Sequence, residues 1–293
     1  MVETWAAFAI TTVILCGISG IISKIALNNV PSSVLVISSF IVIMPISLIL
    51  LVYYITFIGL EGVSLYYVVL GIVAAIFANL GFFMYFDALE KGPVMLIGSI
   101  TSAYPAVVIV GAILLLGEWL TFIQAIGVIM VVTGVVALLY IHGTARGKTK
   151  IPRVAIVLSI LAIISWSIWG LTFKAALEGL DIILFWGLST LVMPPLTLGY
   201  LKLRSHGERI QIPKYSIPLV FAIISVEVEQ LGFYTETLAV NAGPASLVFP
   251  VIASYPVVTI ILAYAFLKER ISMKEAILIF AVVTGIVLVS VIS

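Results

Sequence analysis

Ten apolar runs, each long enough to cross a bilayer as an α-helix, dominate this sequence. A span needs about 20 apolar residues, and the runs cover approximately residues 4–27, 32–57, 65–89, 93–117, 121–141, 153–177, 181–201, 216–240, 244–267 and 272–292. They are continuously apolar over helical lengths, which favours helices over alternating strands. Of 293 residues, 63% are hydrophobic and 9% are charged, against roughly 45–50% and about 25% in a soluble domain. We therefore predict an all-α integral membrane protein with ten transmembrane helices.

Several other classes of protein are disfavoured by what the sequence lacks. Cys16 is the only cysteine, so neither a disulfide framework nor a thiolate metal site is expected. The formal net charge is +1, and no basic tract indicates binding of nucleic acid. The first run lacks a preceding basic segment and a cleavage site, so we expect a retained span rather than a signal peptide. HExxH, GxSxG and phosphate-loop motifs are absent, so we expect neither an enzyme nor a cofactor or metal.

The two halves of the chain are related by an internal repeat. Residues 90–120 align with residues 241–271 at a constant offset of 151 residues. Matched pairs at this offset are Gly92 and Gly243, Pro93 and Pro244, Tyr104 and Tyr255, Pro105 and Pro256, Glu118 and Glu269, Thr133 and Thr284, and Gly134 and Gly285. At an offset of 150 residues, Gly20 and Lys24 match Gly170 and Lys174. A register kept over most of both halves indicates duplication.

An odd number of helices in each half gives the two halves opposite orientations in the membrane. We predict two inverted five-helix repeats around a central cavity, the first over residues 1–145 and the second over residues 146–293. Inverted repeats are typical of secondary transporters, whose substrate site lies near the middle of the bilayer where the repeats meet.

The repeated motifs resemble those of the EamA family of the drug/metabolite transporter superfamily. They are the paired GP(x)10YP stretches, Gly117 and Glu118 at the end of the fourth helix, the TG of the fifth and tenth helices, and Trp169 with Gly170. The resemblance covers almost the whole chain. It implies a ten-helix transporter in which the first four helices of each half surround the cavity, and it implies no particular substrate. Two features depart from the family: Ser19 and Gly20 replace the usual WG, and the eighth helix is unusually acidic.

Some repeated residues indicate structural roles. Thr121 with Gln124, and Ser272 with Glu275, have the spacing of capping boxes at the starts of the fifth and tenth helices. Pro93 and Pro244 suit helix starts, where a missing amide hydrogen costs nothing. Pro105 and Pro256 fall inside the fourth and ninth runs, where we expect each to kink its helix.

Three sets of residues allow both a packing role and a functional role. Tyr104 and Tyr255, which precede the inner prolines, either pack or line a gate or cavity. Lys24 and Lys174 either extend toward the lipid headgroups or close one side of the cavity. Trp166 and Trp169 lie in the cavity-forming sixth helix, where they either pack or stack on a ligand.

The eighth run contains Glu227, Glu229 and Glu236. Its apolar side chains contribute about −5 kcal/mol to membrane insertion in total, whereas two ionised carboxylates near its centre would cost about +3 kcal/mol each. The run therefore cannot expose these groups to lipid. They must be sheltered by neighbouring helices or by a water-filled cavity.

Helical geometry separates the glutamates into two faces. At 100° per residue, Glu229, Phe233 and Glu236 fall within about 60° of one another, whereas Glu227 lies about 160° from Glu229. We predict that Glu229 and Glu236 face the transport pathway and that Glu227 bonds to a neighbouring helix near Tyr234. There are two alternatives. Either Glu227 faces the pathway and Glu229 and Glu236 face a neighbouring helix, or all three make interhelical hydrogen bonds and have no role in transport. The candidate substrate or proton site comprises Glu229, Glu236, Glu227, Gln230, Asn79, Phe233, Tyr104, Tyr255, Trp166 and Trp169.

Together these features predict a secondary active transporter that works by alternating access. It would move a small metabolite, an amino acid or an organic cation, coupled to protons through the glutamates. An uncoupled facilitator or channel with structural glutamates is the alternative. The expected partners are the small-molecule substrate, protons and the lipid bilayer. Small residues at Gly127, Gly134 and Gly285 are consistent with packing within a monomer or with a homodimer.

The distribution of basic residues predicts the orientation. Thirteen of the 14 Lys and Arg residues follow odd-numbered runs: Lys24, Lys91, Arg146, Lys148, Lys150, Arg153, Lys202, Arg204, Arg209, Lys214, Lys268, Arg270 and Lys274. Only Lys174 lies on the other side. By the positive-inside rule these loops are cytoplasmic, which places both termini outside the cell membrane. This orientation is opposite to the one that the family resemblance implies.

Overall fold

The computed structural model describes residues 3–27, 30, 32–91, 97, 100–144, 152–205, 217–267 and 272–291, and every regular element in these residues is helical. In chain order the helices are α1 (Thr4–Leu27), α2 (Ser32–Tyr53) with a π-helical continuation (Tyr54–Ile58), α3 (Leu65–Lys91), α4 (Tyr104–Leu115), α5 (Phe122–Thr144), α6 (Arg153–Leu177), α7 (Ile182–Ser205), α8 (Ile217–Ala242), α9 (Ala245–Ile252), α10 (Tyr255–Leu267) and α11 (Met273–Val291). The predicted all-α class is therefore confirmed for this part of the chain.

The lengths of the helices fit a multi-pass membrane protein. Among the residues that the structure describes, eight stretches are long and apolar enough to cross a membrane: Thr4–Ser23, Val34–Ile58, Leu65–Tyr85, Phe122–Ile141, Arg153–Leu177, Ile182–Leu203, Ile217–Ala242 and Ala245–Phe266. α4 is a shorter apolar helix, and α11 occupies the tenth predicted run with 19 residues. The number of ten spans stays a prediction.

The largest contacts between helices join the two halves of the chain. α1 packs against α8, α3 against α6, α2 against α7 and α5 against α11. If each helix is replaced by its equivalent in the other half, the pair of α1 and α8 becomes the pair of α6 and α3, and the other two pairs are unchanged. The packing therefore has the approximate twofold relation that the sequence repeat indicates.

The capping boxes predicted for the fifth and tenth runs are confirmed. The Thr121 backbone N–H donates to Gln124 Oε1 at 2.9 Å, and the Gln124 N–H donates to Thr121 Oγ1 at 3.2 Å. Ser272 and Glu275 make the equivalent reciprocal pair at 2.6 and 3.3 Å. Each box satisfies amide groups that the first turn of a helix leaves without partners.

α5 and α11 approach each other closely at facing glycines. A Cβ atom added to Gly285 would lie 2.7 Å from the carbonyl oxygen of Gly127, and one added to Gly127 would lie 2.9 Å from that of Gly285. At Gly134 an added Cβ would lie 2.6 Å from Val282. These small residues therefore serve packing within the chain, which is one of the two roles expected for them.

The inner prolines interrupt the helices, whereas a kink was expected. α9 ends at Ile252, and α10 begins at Tyr255 with Pro256 in its first turn. Ser254 closes the end of α9, because its N–H and its Oγ both donate to the carbonyl oxygen of Val251, at 3.0 and 2.6 Å. α4 likewise begins at Tyr104. A proline in the first turn needs no hydrogen-bond partner, so a break is cheaper than a strained continuous helix. Pro244 precedes α9 as its N-cap residue, and Pro93 lies outside the described residues.

Candidate functional site

The three glutamates of α8 lie at different depths. Glu236 is 2% exposed, Glu229 is partly buried and Glu227 is exposed. Within the described part of the chain, neither Glu229 nor Glu236 receives a hydrogen bond. Buried carboxyl groups are almost always hydrogen-bonded, and an exception calls for a specific explanation.

The two inner carboxyl groups lie where several helices meet. Groups close enough to interact with their charges come from α1, α3, α4 and α10: Cys16, Tyr85, Tyr104 and Tyr255. α8 lies directly against α1 here, because a Cβ atom added to Gly232 would lie 2.8 Å from Cys16 Sγ. The structure thus brings together helices from both repeats around Glu229 and Glu236.

The tyrosines that begin α4 and α10 belong to this site. Tyr255 lies halfway along the Ala245–Phe266 span, yet it is 39% exposed and within reach of the charge of Glu229. Tyr255 therefore lies at mid-span on the side of α10 nearest to Glu229. Tyr104 is the repeat equivalent of Tyr255 and lies within reach of the charge of Glu236. Interrupted helices at equivalent positions in two repeats are a feature of transporter binding sites, and a cavity-lining role for these two residues stays a prediction.

Aromatic rings border the carboxyl groups. Trp166 on α6 has its ring centroid 5.4 Å from those of Phe82 and Tyr85 and 5.8 Å from that of Tyr104. Phe233, on the same face of α8 as Glu229, lies 6.2 Å from Phe82. We call Phe82, Tyr85, Tyr104, Trp166 and Phe233 the aromatic cluster. The sequence analysis did not select Phe82 or Tyr85, although Tyr85 occupies the repeat position of Glu236.

Trp169 lies between the aromatic cluster and the buried core, with its ring centroid 6.4 Å from that of Tyr104. Its ring stacks on Phe173 at 5.6 Å and meets Phe249 edge-on at 5.4 Å. Both partners belong to the buried core. Of the two roles expected for Trp169, the structure therefore favours packing.

The predicted bond of Glu227 to a neighbouring helix is not observed. Glu227 is exposed, and it has no hydrogen bond in the described part of the chain. Tyr234, near which the bond was expected, stacks on Trp186 of α7 with ring centroids 4.7 Å apart. The helical wheel separated the exposed Glu227 from the more buried Glu229, but no described residue donates a hydrogen bond to Glu227.

Gln230 and Asn79 make no hydrogen bond to the two carboxyl groups in the described part of the chain. Asn79 Nδ2 donates to the carbonyl oxygen of Ala75 on its own helix at 2.8 Å. Gln230 faces a cavity of about 10 Å³ between α2, α7 and α8, lined by Ile43, Ile46, Ser47, Trp186, Gln230 and Tyr234. That volume is about the space of one water molecule. The structure therefore gives no support for a direct role of either amide beside Glu229.

Lys174 holds the C-terminal end of α8. Its Nζ atom donates hydrogen bonds to the carbonyl oxygens of Val240 and Gly243, each at 2.9 Å. A cation is favourable at a helix C-terminus, where carbonyl groups lack partners. Extension to the headgroups and closure of the cavity were the expected alternatives, and the structure shows a third role, a cap supplied by another helix. The side chain of Lys24 lies outside the described part of the structure.

Glu118 holds the N-terminal end of α9 from the opposite repeat. Its carboxylate accepts hydrogen bonds from the backbone N–H groups of Ala245 at 2.7 Å and Ser246 at 2.8 Å. Such bonds to a charged acceptor are stronger than neutral ones. Glu118 was predicted only as part of the repeat and of the family motif, with no role assigned to it. Its recurrence as Glu269, which lies outside the described residues, was the signal for a role at the junction of the repeats.

We expect the substitution Glu118→Gln to loosen the start of α9. A hydrogen bond to a charged group contributes about 1.5–3 kcal/mol, so local opening should increase about tenfold or more. The reporter is Ser246→Cys in a Cys16→Ser background, because Ser246 is fully buried and its hydroxyl has no partner among the described residues. A thiol reagent should label this cysteine faster in the Glu118→Gln protein.

The matched control for this measurement is Ser159→Cys in the same background. Ser159 is fully buried in α6, toward the other end of that helix from Lys174. The cysteine at position 159 should be labelled equally slowly in the protein that keeps Glu118 and in the Glu118→Gln protein. If both cysteines are labelled faster, the variant is unfolding globally and the local cap is not the cause.

The arrangement around Glu229 and Glu236 can bind a positive charge. An ionised carboxylate in an apolar interior is costly without a donor or counter-charge. Among the described residues, no group of three His, Cys, Asp or Glu could hold a metal ion. The two groups are therefore suited to holding either a proton or a cation supplied by a ligand.

Comparisons with known proteins agree with this architecture. The family described as EamA-like transporter family matches residues 3–140 and 153–291. No curated protein is similar in sequence. Among solved structures, 29 chains match. One of them, a crystal structure of a protein, superposes on this chain with a TM-score of 0.77 and 16% sequence identity. The alignment covers 99% of this chain and 98% of the other chain. This likeness concerns the fold alone.

Proposed function

Because the chain belongs to the EamA-like transporter family, we propose that it is a secondary active transporter coupled to protons through Glu229 and Glu236. The protein is a multi-pass membrane protein, and its family consists of transporters of the drug/metabolite type. Alternating access is the mechanism we propose, with the two repeats inverted relative to each other. The helix pairs stay the same when each helix is exchanged for its equivalent in the other half, which supports this relation. Inverted repeats that rock against each other expose a central site to each side in turn.

The main support for proton coupling is that Glu236 is buried without a hydrogen-bond donor. At 2% exposure, its ionised form would lack compensation in the described structure. Such a carboxyl group is stable when it is protonated or when a bound cation neutralises it. If proton and substrate replace each other at this site, the protein is an antiporter. If they occupy Glu229 and Glu236 separately, it is a symporter.

An uncoupled facilitator with structural glutamates is the competing function. A structural role requires hydrogen bonds from neighbouring helices, and the described residues supply none to Glu229 or Glu236. The test is to reconstitute the full chain in liposomes that contain a pH-sensitive dye and to add amines, amino acids and metabolites. We expect a substrate to move protons across the membrane. Substrate flux at an unchanged internal pH would favour the facilitator.

We also propose that both termini lie outside the cell, following the excess of basic residues in the loops after odd-numbered spans. Green fluorescent protein fused to the C-terminus should then be dark, and alkaline phosphatase at the same place should be active. The opposite pair of signals would show that the C-terminus is cytoplasmic and would contradict the charge count. Each fusion is the control for the other, because an expressed protein should give a signal with one of the two reporters.

A further inference from the structure

The charge around Glu229 and Glu236 restricts the class of substrate. Among the described side chains, each Lys or Arg lies near an end of its helix: Lys91, Arg153, Lys174, Lys202 and Lys274. The one closest to this region by helix packing, Lys174, is already bonded to two carbonyl groups. A phosphate or carboxylate bound beside the two glutamates would therefore lack a basic partner and would face like charges. The site matches a substrate that brings a positive charge.

The aromatic cluster restricts the class further. Tyr85 and Tyr104 flank Trp166, and they are also the tyrosines that interact with the charges of Glu229 and Glu236 respectively. The carboxyl groups and the aromatic rings thus border the same region. Trp166 is held against α3 because Gly81 leaves room for it; an added Cβ there would lie 2.4 Å from Trp166 Cδ1. The face of a tryptophan is the best aromatic partner for a cation.

The kind of cation follows from the groups that are present. Metal ions such as Ca²⁺ need six or more oxygen ligands, which the described residues do not assemble. A primary ammonium group has three N–H donors, and each needs an acceptor. Besides the two carboxyl groups, the acceptors in this region are the hydroxyls of Tyr85, Tyr104 and Tyr255, and the rest of the lining is aromatic rings and one thiol. A primary ammonium group would therefore need several of these hydroxyls turned toward it at once. An ammonium nitrogen whose hydrogens are replaced by carbon leaves no donors unsatisfied. It is also bound well by aromatic faces.

We propose, on the basis of the transport function proposed above, that the substrate is a monovalent organic cation. Its nitrogen is alkylated, and it is attached to an apolar or aromatic body. The nitrogen lies between Glu229 and Glu236 on α8, and the apolar body contacts Trp166. Protons and the cation then compete for the same carboxylates, so binding weakens as the pH falls.

Calorimetric titration of the full chain in detergent tests this proposal with four ligands that share one ring. They are benzyltrimethylammonium, the neutral N,N-dimethylbenzamide, zwitterionic phenylalanine and anionic phenyl phosphate. We expect the ammonium compound to bind at least about tenfold more tightly than the other three. The amide and phenyl phosphate bring no positive charge, and phenylalanine also brings a carboxylate that would face the charges of Glu229 and Glu236. Equal or tighter binding of phenylalanine, phenyl phosphate or the neutral amide would overturn the proposal.

Variants locate the ligand in the structure. Trp166→Leu should weaken binding of benzyltrimethylammonium about fivefold to thirtyfold, and Trp166→Phe should have a smaller effect because it keeps a ring. Trp119→Leu is the matched control, since Trp119 is 88% exposed and lies outside the site. If Trp166→Leu and Trp166→Phe both bind as tightly as Trp119→Leu, the aromatic cluster is not the site. The Phe variant also provides an answer if the Leu variant does not fold.

Binding and transport fail in distinguishable ways. If benzyltrimethylammonium binds as expected but liposomes show no coupled proton movement, the substrate class stands and the proposed coupling is wrong. If liposomes show proton-coupled flux of phenylalanine but none of the ammonium compound, the coupling stands and the substrate class is wrong.

Discussion

Replacing Glu236 with Gln is expected to abolish transport driven by a pH gradient in liposomes. Glutamine keeps the shape of the neutral acid but cannot release a proton or carry a charge. Loss of one partner of a buried charge pair costs roughly 2 kcal/mol or more, so binding of a cationic substrate should weaken at least about thirtyfold. Glu236 is the most deeply buried of the three glutamates, so we expect its substitution to have the largest effect.

The other two glutamates of α8 supply the graded comparison. Glu229→Gln should also impair coupling, because Glu229 faces the same region as Glu236. Glu227→Gln is the matched control on the same helix, since Glu227 is exposed and makes no hydrogen bond in the described part of the chain. Its flux should equal that of the unmodified protein. Loss of coupling in Glu227→Gln with normal coupling in Glu236→Gln would show that the assigned facing of α8 is wrong, and normal coupling in all three would refute the proton site.

Replacing Gly285 with Ala is expected to destabilise the packing of α5 against α11. The added Cβ atom would lie 2.7 Å from the carbonyl oxygen of Gly127, and a backbone atom cannot move aside as a flexible side chain can. Overpacking of this kind costs about 1–3 kcal/mol. The melting temperature of the purified protein should fall by several degrees, measured by the fluorescence of a thiol dye or by light scattering.

Gly199→Ala is the control for the glycine experiment. Gly199 also lies in a helix, α7, but an added Cβ atom there meets nothing within 4 Å. Because alanine favours a helix by up to about 1 kcal/mol over glycine, this variant should melt at the same temperature or higher. A similar drop in both variants would mean that helix contact at Gly285 does not limit the stability of the fold.

The helical wheel of α8 shows where sequence reasoning succeeds and where it stops. The 100° rotation per residue correctly separated Glu227 from Glu229 and Glu236, because that rotation depends only on the local backbone. It could not identify what each face meets. Tyr234 stacks on Trp186 of α7, whereas Glu227 is exposed and makes no hydrogen bond in the described part of the chain. Lys174 and Glu118 show the same limit, since both bond to main-chain atoms, and main-chain partners have no signature in the sequence.

The inner prolines show the limit for the backbone. A proline inside a helical run predicts a local disturbance, but a kink and a break differ in whether other groups can satisfy the interrupted turn. At the end of α9 the hydroxyl and N–H of Ser254 do so by bonding to Val251. Before α4 the backbone N–H of Ala103 donates to Ile100 in the equivalent way, without a hydroxyl. The choice therefore depended on a tight local turn that the run of apolar residues did not indicate.

The sequence by itself determined the membrane-embedded helices, the duplication, the family and the carboxylate-bearing helix. Each of these depends on hydropathy, periodicity or repetition, which are local properties of the chain. Only the tertiary structure decided which side chains surround Glu229 and Glu236, that these carboxyl groups lack donors among the described residues, and that Glu118 and Lys174 cap helix ends. Those properties depend on contacts between residues that are far apart in the chain, and the same helices packed in another way would have produced a different site.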